Sequence, residues 1–285
     1  MIPSWFEYES PRSLGEALAL LASRPDAKIL AGGHSLLPAM KLRLAAPATL
    51  VDLGRIAGLS YVRHARDAFA IGAMTTHAQI AESELLRVSS PLLALAAAAI
   101  GDVQVRNRGT LGGSLAHADP AADYPAAILA LDAELVAMSE RGERVIPARE
   151  FFTGLFATAL RPNEILTEVR VRSTSGQGVS YKKFRHPASG FAVVGVAAVV
   201  GVSGGKVEGA AVGITGVAPS AYRAGQVERA LWGKPFSAIA AAADLAGQAV
   251  TPLGDTYASA EYRQHLARVF TRRALEEAVA RATAK

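Results

Sequence analysis

Across residues 14–23 the apolar positions recur at helical spacing, with Ser13 and Glu16 forming a capping-box pattern ahead of them and Pro25 as a stop. Residues 27–31 are a short β-prone run ending on Gly32-Gly33-His34-Ser35; helical spacing resumes over 36–44, and 49–53 reads as a second strand. This order predicts a small parallel sheet. After Gly54 the pattern changes. Residues 60–63 and 67–73 alternate like a hairpin, 77–88 and 91–100 read as helices, 107–114 are rich in Gly, Arg and Thr, and 121–131 are helical again. Residues 134–138 and 143–146 make a second hairpin around Arg141-Gly142, and 165–171 a further strand.

Residues 173–178 are small, polar and glycine-bearing, which marks a domain boundary. Beyond it lie three strands, 179–185, 191–202 and 206–215, the last two joined at Ser203-Gly204-Gly205, then helical stretches at 221–231, 237–250 and 259–281. The predicted class is α+β. A first domain over 1–175 divides into a small parallel α/β lobe, about 1–54, and a mainly antiparallel α+β lobe, 55–175; a C-terminal domain over 176–285 combines a three-stranded antiparallel sheet with helices. No fixed-period repeat interrupts this plan.

Composition narrows the chemistry. Of 285 residues 51% are hydrophobic and 19% charged, enough to bury a core, and at roughly 150 residues per domain the length fits two. There is no cysteine, which excludes disulfides, thiolate-bound zinc, cysteine-ligated iron–sulfur clusters and a cysteine nucleophile. The net charge of +5 suits an anionic ligand but is spread along the chain. The acidic opening segment has no secretory pattern, and the longest apolar runs, 92–100 and 191–202, fall short of the roughly 20 residues a membrane span needs. A cytoplasmic protein is expected.

Two glycine clusters carry the candidate chemistry. No P-loop and no Gly-x-Gly-x-x-Gly fingerprint occurs, yet Gly32-Gly33 sits where a strand turns into a helix, a place where backbone N–H groups approach a phosphate. A plain βα turn has the same sequence. Arg106-Asn107-Arg108-Gly109-Thr110-Leu111-Gly112-Gly113-Ser114 adds a second glycine pair with hydroxyls and arginines; either the two nests hold both halves of a pyrophosphate, or the second is an ordinary loop. Asp123 either caps the following helix or accepts hydrogen bonds from sugar hydroxyls. The six histidines match no metal spacing, and no hydrolase elbow is present. Arg170, Arg172, Lys182, Lys183 and Arg185, interleaved with Tyr181 and Phe184, alternate as a half-exposed strand does, so no nucleic-acid partner is expected.

Ala31-Gly32-Gly33-His34-Ser35-Leu36-Leu37-Pro38 and residues 104–116 together resemble the paired signatures of the FAD-binding medium subunit of molybdenum hydroxylases. The nearer branch is the carbon monoxide dehydrogenase type of the xanthine dehydrogenase family, and the likeness spans essentially the whole chain. It implies FAD as cofactor, held by Ala31, Gly32, Gly33, His34 and Ser35 and by Thr110, Leu111, Gly112, Gly113 and Ser114. Asp123 matches an acidic residue near the ribityl or ribose hydroxyls, and Lys183 and Leu166 match further contacts. Where the family often carries Gly-Asp-Tyr-Ala beside the isoalloxazine, this chain has Ser189-Gly190-Phe191-Ala192; Phe191 keeps the ring and loses the phenol.

The resemblance also implies partners. They are a molybdopterin-binding large subunit and a small subunit with two-iron two-sulfur clusters, in a dimer of heterotrimers, with electrons passing through the FAD to a terminal acceptor. Such a flavoprotein needs positioning and electrostatics but no catalytic side chain and no metal of its own. Two rival readings are a stand-alone FAD-dependent reductase of the enolpyruvyl-reductase type and an interaction subunit without cofactor.

Overall fold

The computed structural model describes every residue except Arg66, Asp67, Ala249 and Lys285. Its first lobe contains β1 (Glu7–Glu9), α1 (Leu14–Ser23), β2 (Ala27–Leu30), α2 (Leu36–Lys41) and β3 (Thr49–Asp52). The strands form a parallel sheet in the order β1-β3-β2. Ser13 Oγ accepts from the Glu16 N–H at 3.2 Å, while the Glu16 carboxylate reaches back to the Arg12 N–H at 2.8 Å, one residue beyond the expected box. Ala17, Leu18 and Leu21 of α1 pack on Val51 of β3 to close this lobe's core. Helix α2 is shorter than its pattern suggests, because Arg43 adopts φ 60° and turns the chain away.

The second lobe adds β4 (Val62–Ala65), β5 (Ala68–Gly72), α3 (His77–Glu82), α4 (Glu84–Ser89), α5 (Pro91–Ala98), α6 (Val103–Arg108), α7 (Leu111–His117) and α8 (Tyr124–Ala130). It continues through β6 (Glu134–Ser139), β7 (Gly142–Pro147), α9 (Ala148–Phe151), β8 (Phe152–Gly154), β9 (Ala157–Thr158) and β10 (Ile165–Arg172). The antiparallel sheet has the order β4-β5-β10-β6-β7, so β10, last in sequence, is central in space. The strand expected over 67–73 is β5, and the expected first residue, Asp67, lies outside the described residues. Two expectations need correction. The helix expected over 77–88 is two helices, since Ser83 ends α3 and caps α4 through its hydroxyl. The segment 107–114 contains the end of α6 and the start of α7, joined at Gly109-Thr110.

The C-terminal part holds β11 (Gly178–Arg185), β12 (Ala192–Ser203), β13 (Lys206–Thr215), β14 (Tyr222–Arg223), α10 (Gly225–Leu231), α11 (Ile239–Ala243) and α12 (Ala260–Thr283). The sheet is antiparallel in the order β11-β12-β13-β14, with α12 laid along β11 and β12. Tyr222 and Arg223, expected to open a helix, pair instead with Ile214 and Gly213 and extend the three expected strands by a short fourth. The helix expected over 237–250 reduces to a 3-10 turn, Phe236–Ala238, and α11; its Ala249 lies outside the described residues.

The segment 173–178 is tied down. The Thr174 N–H and the Ser173 hydroxyl both donate to the Ser89 carbonyl, at 2.9 and 3.1 Å. The largest core cluster is shared across it, with Val179, Ala197 and Val199 of the C-terminal sheet packed together with Leu93, Tyr124 and Phe151. Gly213 lets β13 approach α8 so closely that a Cβ there would overlap the Ala126 carbonyl.

Candidate functional site

The turn after β2 leaves a row of backbone donors unused. Gly33 takes φ 77°, a conformation natural only to glycine, and the His34 imidazole contacts the Gly32 carbonyl at 3.2 Å. The N–H groups of Gly32, Gly33, His34, Ser35 and Leu36 donate to no acceptor among the described residues, and neither does the Ser35 hydroxyl. Successive unpaired N–H groups in such a turn form a concave anion site.

The second cluster differs. The N–H of Leu111 donates to Thr75 O at 3.0 Å, that of Gly112 to Ala73 O at 2.8 Å, that of Gly113 to Thr110 Oγ1 at 3.1 Å and that of Ser114 to Thr110 O at 3.0 Å. Two equivalent nests are therefore not present. What the second cluster supplies is close approach: a Cβ on Gly32 would strike the Arg108 carbonyl, and one on Gly112 would come within 2.6 Å of the Ala73 Cβ. The glycines thus let the two clusters meet. Leu111 itself points into the core, and Arg106 donates to the Ile100 and Gly101 carbonyls.

These parts open onto one cleft of about 1370 Å³, larger than the common small-molecule pocket of about 300–1,000 Å³. Of the residues singled out in the sequence, Ala31, Gly32, Gly33, His34, Ser35, Thr110, Gly112, Gly113, Ser114, Asp123, Leu166 and Phe191 line it. Leu166 reaches it at a bulge in β10, a device that re-aims a side chain. Lys183 does not line the cleft. Its ammonium is buried and bridges Asp123, at 2.8 Å, and the Ala99 carbonyl, at 2.9 Å. Tyr181 Oη also donates to Asp123, at 2.6 Å, so this carboxylate is held from β11 and makes no helix-capping bond. Burial pushes the Asp123 carboxyl up, and Lys183 and Tyr181 oppose that shift.

Sequence reasoning passed over His77. Buried at the start of α3, its ring presses on Gly109 and its Nδ1 lies 3.2 Å from Tyr124 Oη. Burial lowers its pKa to about 4, with His34 and Arg106 adding to the shift, so it is a neutral wall of the cleft at pH 7. Phe156, also unflagged, lines the cleft with its ring 5.2 Å from that of His117. Neither has a local signal, because each arrives by tertiary packing.

Comparison with known proteins places this geometry. Residues 4–172 match the family described as FAD binding domain in molybdopterin dehydrogenase, and 179–278 match the CO dehydrogenase flavoprotein C-terminal domain. The chain belongs to this family. It is an FAD-binding medium subunit of the molybdenum hydroxylase type, and thus a component of an oxidoreductase. This medium subunit is 43% identical to the carbon monoxide dehydrogenase medium chain of Hydrogenophaga pseudoflava, with 99% of each chain covered. It is 39% identical to the 6-hydroxypseudooxynicotine dehydrogenase complex subunit alpha of Paenarthrobacter nicotinovorans, covering 99% of this chain and 97% of that one. Among solved structures it superposes on a chain of the Hydrogenophaga pseudoflava carbon monoxide dehydrogenase with TM-score 0.96 and 44% identity, again over 99% of each. The quinoline 2-oxidoreductase of Pseudomonas putida 86 gives TM-score 0.94 at 33% identity, over 99% of each. Among the described residues no helix is long and apolar enough to cross a membrane.

Proposed function

We propose that this chain is the electron-transfer subunit of a cytoplasmic molybdenum hydroxylase, linking two-iron two-sulfur clusters of a small subunit to a terminal acceptor while a large subunit oxidises substrate at molybdenum. The observation that carries the reading is the row of unpaired amides over residues 32–36, which line the cleft beside Gly112 and Gly113, glycines packed so closely that a Cβ on either would press on a neighbour. That arrangement fits a pyrophosphate between two flat moieties. The amides of 32–36 and the hydroxyls of Ser35 and Ser114 would hold the phosphates. Gly112, Gly113, Ala73 and Leu166 would shape the wall, Asp123 would accept from polyol hydroxyls, and Phe191 would lie by the ring.

When bound, FAD supplies exchange between one-electron and two-electron carriers. The chain's own residues bind, orient and exclude water. With no cysteine in the chain, iron–sulfur clusters must be housed by a partner, consistent with relatives that are medium chains of multi-subunit enzymes. The cofactor-binding unit is proposed to span 1–175 with lobes at 1–54 and 55–175, and the remainder to dock on it as a second unit.

The test is anaerobic reduction of the co-expressed complex. Offered carbon monoxide, 6-hydroxypseudooxynicotine or quinoline, for which the relatives above are named, or dithionite as a general reductant, the complex is expected to bleach its flavin band after its iron–sulfur signals. Stripping the flavin should leave cluster reduction intact and abolish turnover with quinone or NAD. Flavin-free complex that turns over at the full rate would overturn the proposal.

A further inference from the structure

Residues 119–123 bring Asp119, Ala122 and Asp123 to the cleft, but they belong to neither a helix nor a strand. Their backbone is held from outside. The Pro120 carbonyl accepts from Thr215 Oγ1 and from the Gly216 N–H, both at 2.7 Å; the Ala121 carbonyl accepts from the Ala192 N–H at 3.1 Å; the Ala122 carbonyl accepts from Thr215 Oγ1 at 2.8 Å. The Asp123 carboxylate is taken by Tyr181 and Lys183. Every one of these donors lies in the C-terminal sheet or at its ends.

The register explains how one sheet grips so many points. Lys183, Gly195 and Thr215 stand opposite one another across β11, β12 and β13, so they share a face. Gly195 keeps that row open, for a Cβ there would come within 2.5 Å of Tyr181 Oη and 2.8 Å of the Thr215 methyl. Thr215 is 1% exposed, and its single hydroxyl proton is shared by two carbonyls two residues apart, which fixes the curvature of the loop between them. Without the hydroxyl, the Ala122 carbonyl would lose this donor in a buried place while the Pro120 carbonyl kept the Gly216 N–H, and the loop would turn at Ala122 to find another.

From this we infer that Thr215 is a positioning residue of the FAD cleft: the C-terminal sheet, acting through its hydroxyl, sets the conformation of the acidic loop 119–123, and cofactor affinity depends on it. The inference rests on the proposed reading of the cleft as the FAD site. Since the loop is coupled to both the sheet and the ligand, FAD binding must in turn tighten the sheet's grip on the loop.

The test uses the full-length chain, freed of flavin and titrated with FAD. Thr215→Val keeps shape and removes the donor, and its dissociation constant for FAD is expected to rise about tenfold or more. Thr215→Ser restores the hydroxyl and should bind as wild type does. Thr271→Val is the matching control, because the buried Thr271 hydroxyl has no partner among the described residues; it should leave FAD affinity unchanged. Hydrogen exchange on the wild-type chain gives a readout that does not depend on any variant folding: FAD should slow exchange at the Ala192 and Gly216 amides. Wild-type affinity in a folded Thr215→Val, or unchanged exchange at those amides on saturation with FAD, would overturn the inference and leave the cleft reading standing. Failure of the wild-type chain to take up FAD would overturn both.

Discussion

Asp123 and His77 are both buried at the cleft, and burial acts on their protonation in opposite senses. Asp123 is pushed towards its neutral form, and the buried ammonium of Lys183 keeps the pair matched. Removing one partner of such a pair strands the other. Lys183→Met is expected to destabilise the chain by about 3–5 kcal/mol, and the double variant with Asp123→Asn to recover part of that loss, as measured by urea unfolding. His77 has its pKa lowered from about 6.5 to about 4. The unfolded chain therefore binds a proton at His77 between those values while the folded chain does not, so stability falls as pH drops from about 6.5 to about 4 and levels off below. The contribution of this group reaches about 3 kcal/mol. Urea melts of wild type and His77→Gln at pH 7, 5.5 and 4.5 should show a shallower acid decline in the variant; parallel declines would refute the assignment.

Glycines show how the same substitution acts differently in different elements. Gly204 and Gly205, at φ 54° and 75°, make the β12–β13 turn with open space around each. Gly204→Ala should thus cost only the left-handed backbone, about 1–2 kcal/mol, with FAD content unchanged. Gly213→Ala instead drives a Cβ into the Ala126 carbonyl and pries β13 from α8, which should cost about 1–3 kcal/mol and lower FAD content as well. Thermal unfolding with flavin release separates the two cases. This contrast also explains what the sequence made legible. The turn glycines, the Ser13 cap and the strand alternation are local, and α1, β2 and β3 of the first lobe and the long strands of the C-terminal sheet followed from them, whereas the three-residue β1 carried no such pattern. The shortened α2, the break at Ser83 and the two residues of β14 were decided by a left-handed Arg43, a doubly used serine and pairing with β13. In the cleft, the glycine clusters were readable as motifs, but their division into free and committed amides depends on Ala73 and Thr75, which precede the second cluster by more than thirty residues.

At the scale of the whole molecule the two parts share one core. Val179, Ala197, Val199 and Ala221 are buried in the cluster that also holds the second lobe, and their removal would uncover α5 and α8, which pack against the C-terminal sheet. Residues 1–175 expressed alone are expected to bind a hydrophobic dye, to unfold without a sharp transition and to retain no flavin. A cooperative fragment that holds FAD would refute this. The connection at 173–178, bonded at Ser89, gives the parts no free hinge.

The unpaired amides of residues 32–36 also determine what the cleft refuses. Riboflavin carries the same ring system as FAD but no phosphate, and would leave those N–H groups facing a ligand that cannot accept from them, at about 1–3 kcal/mol for each one kept dry. In a competition read by flavin fluorescence, a large excess of riboflavin should fail to displace FAD. The protein would tell flavins apart by their tails rather than by the ring that carries the electrons.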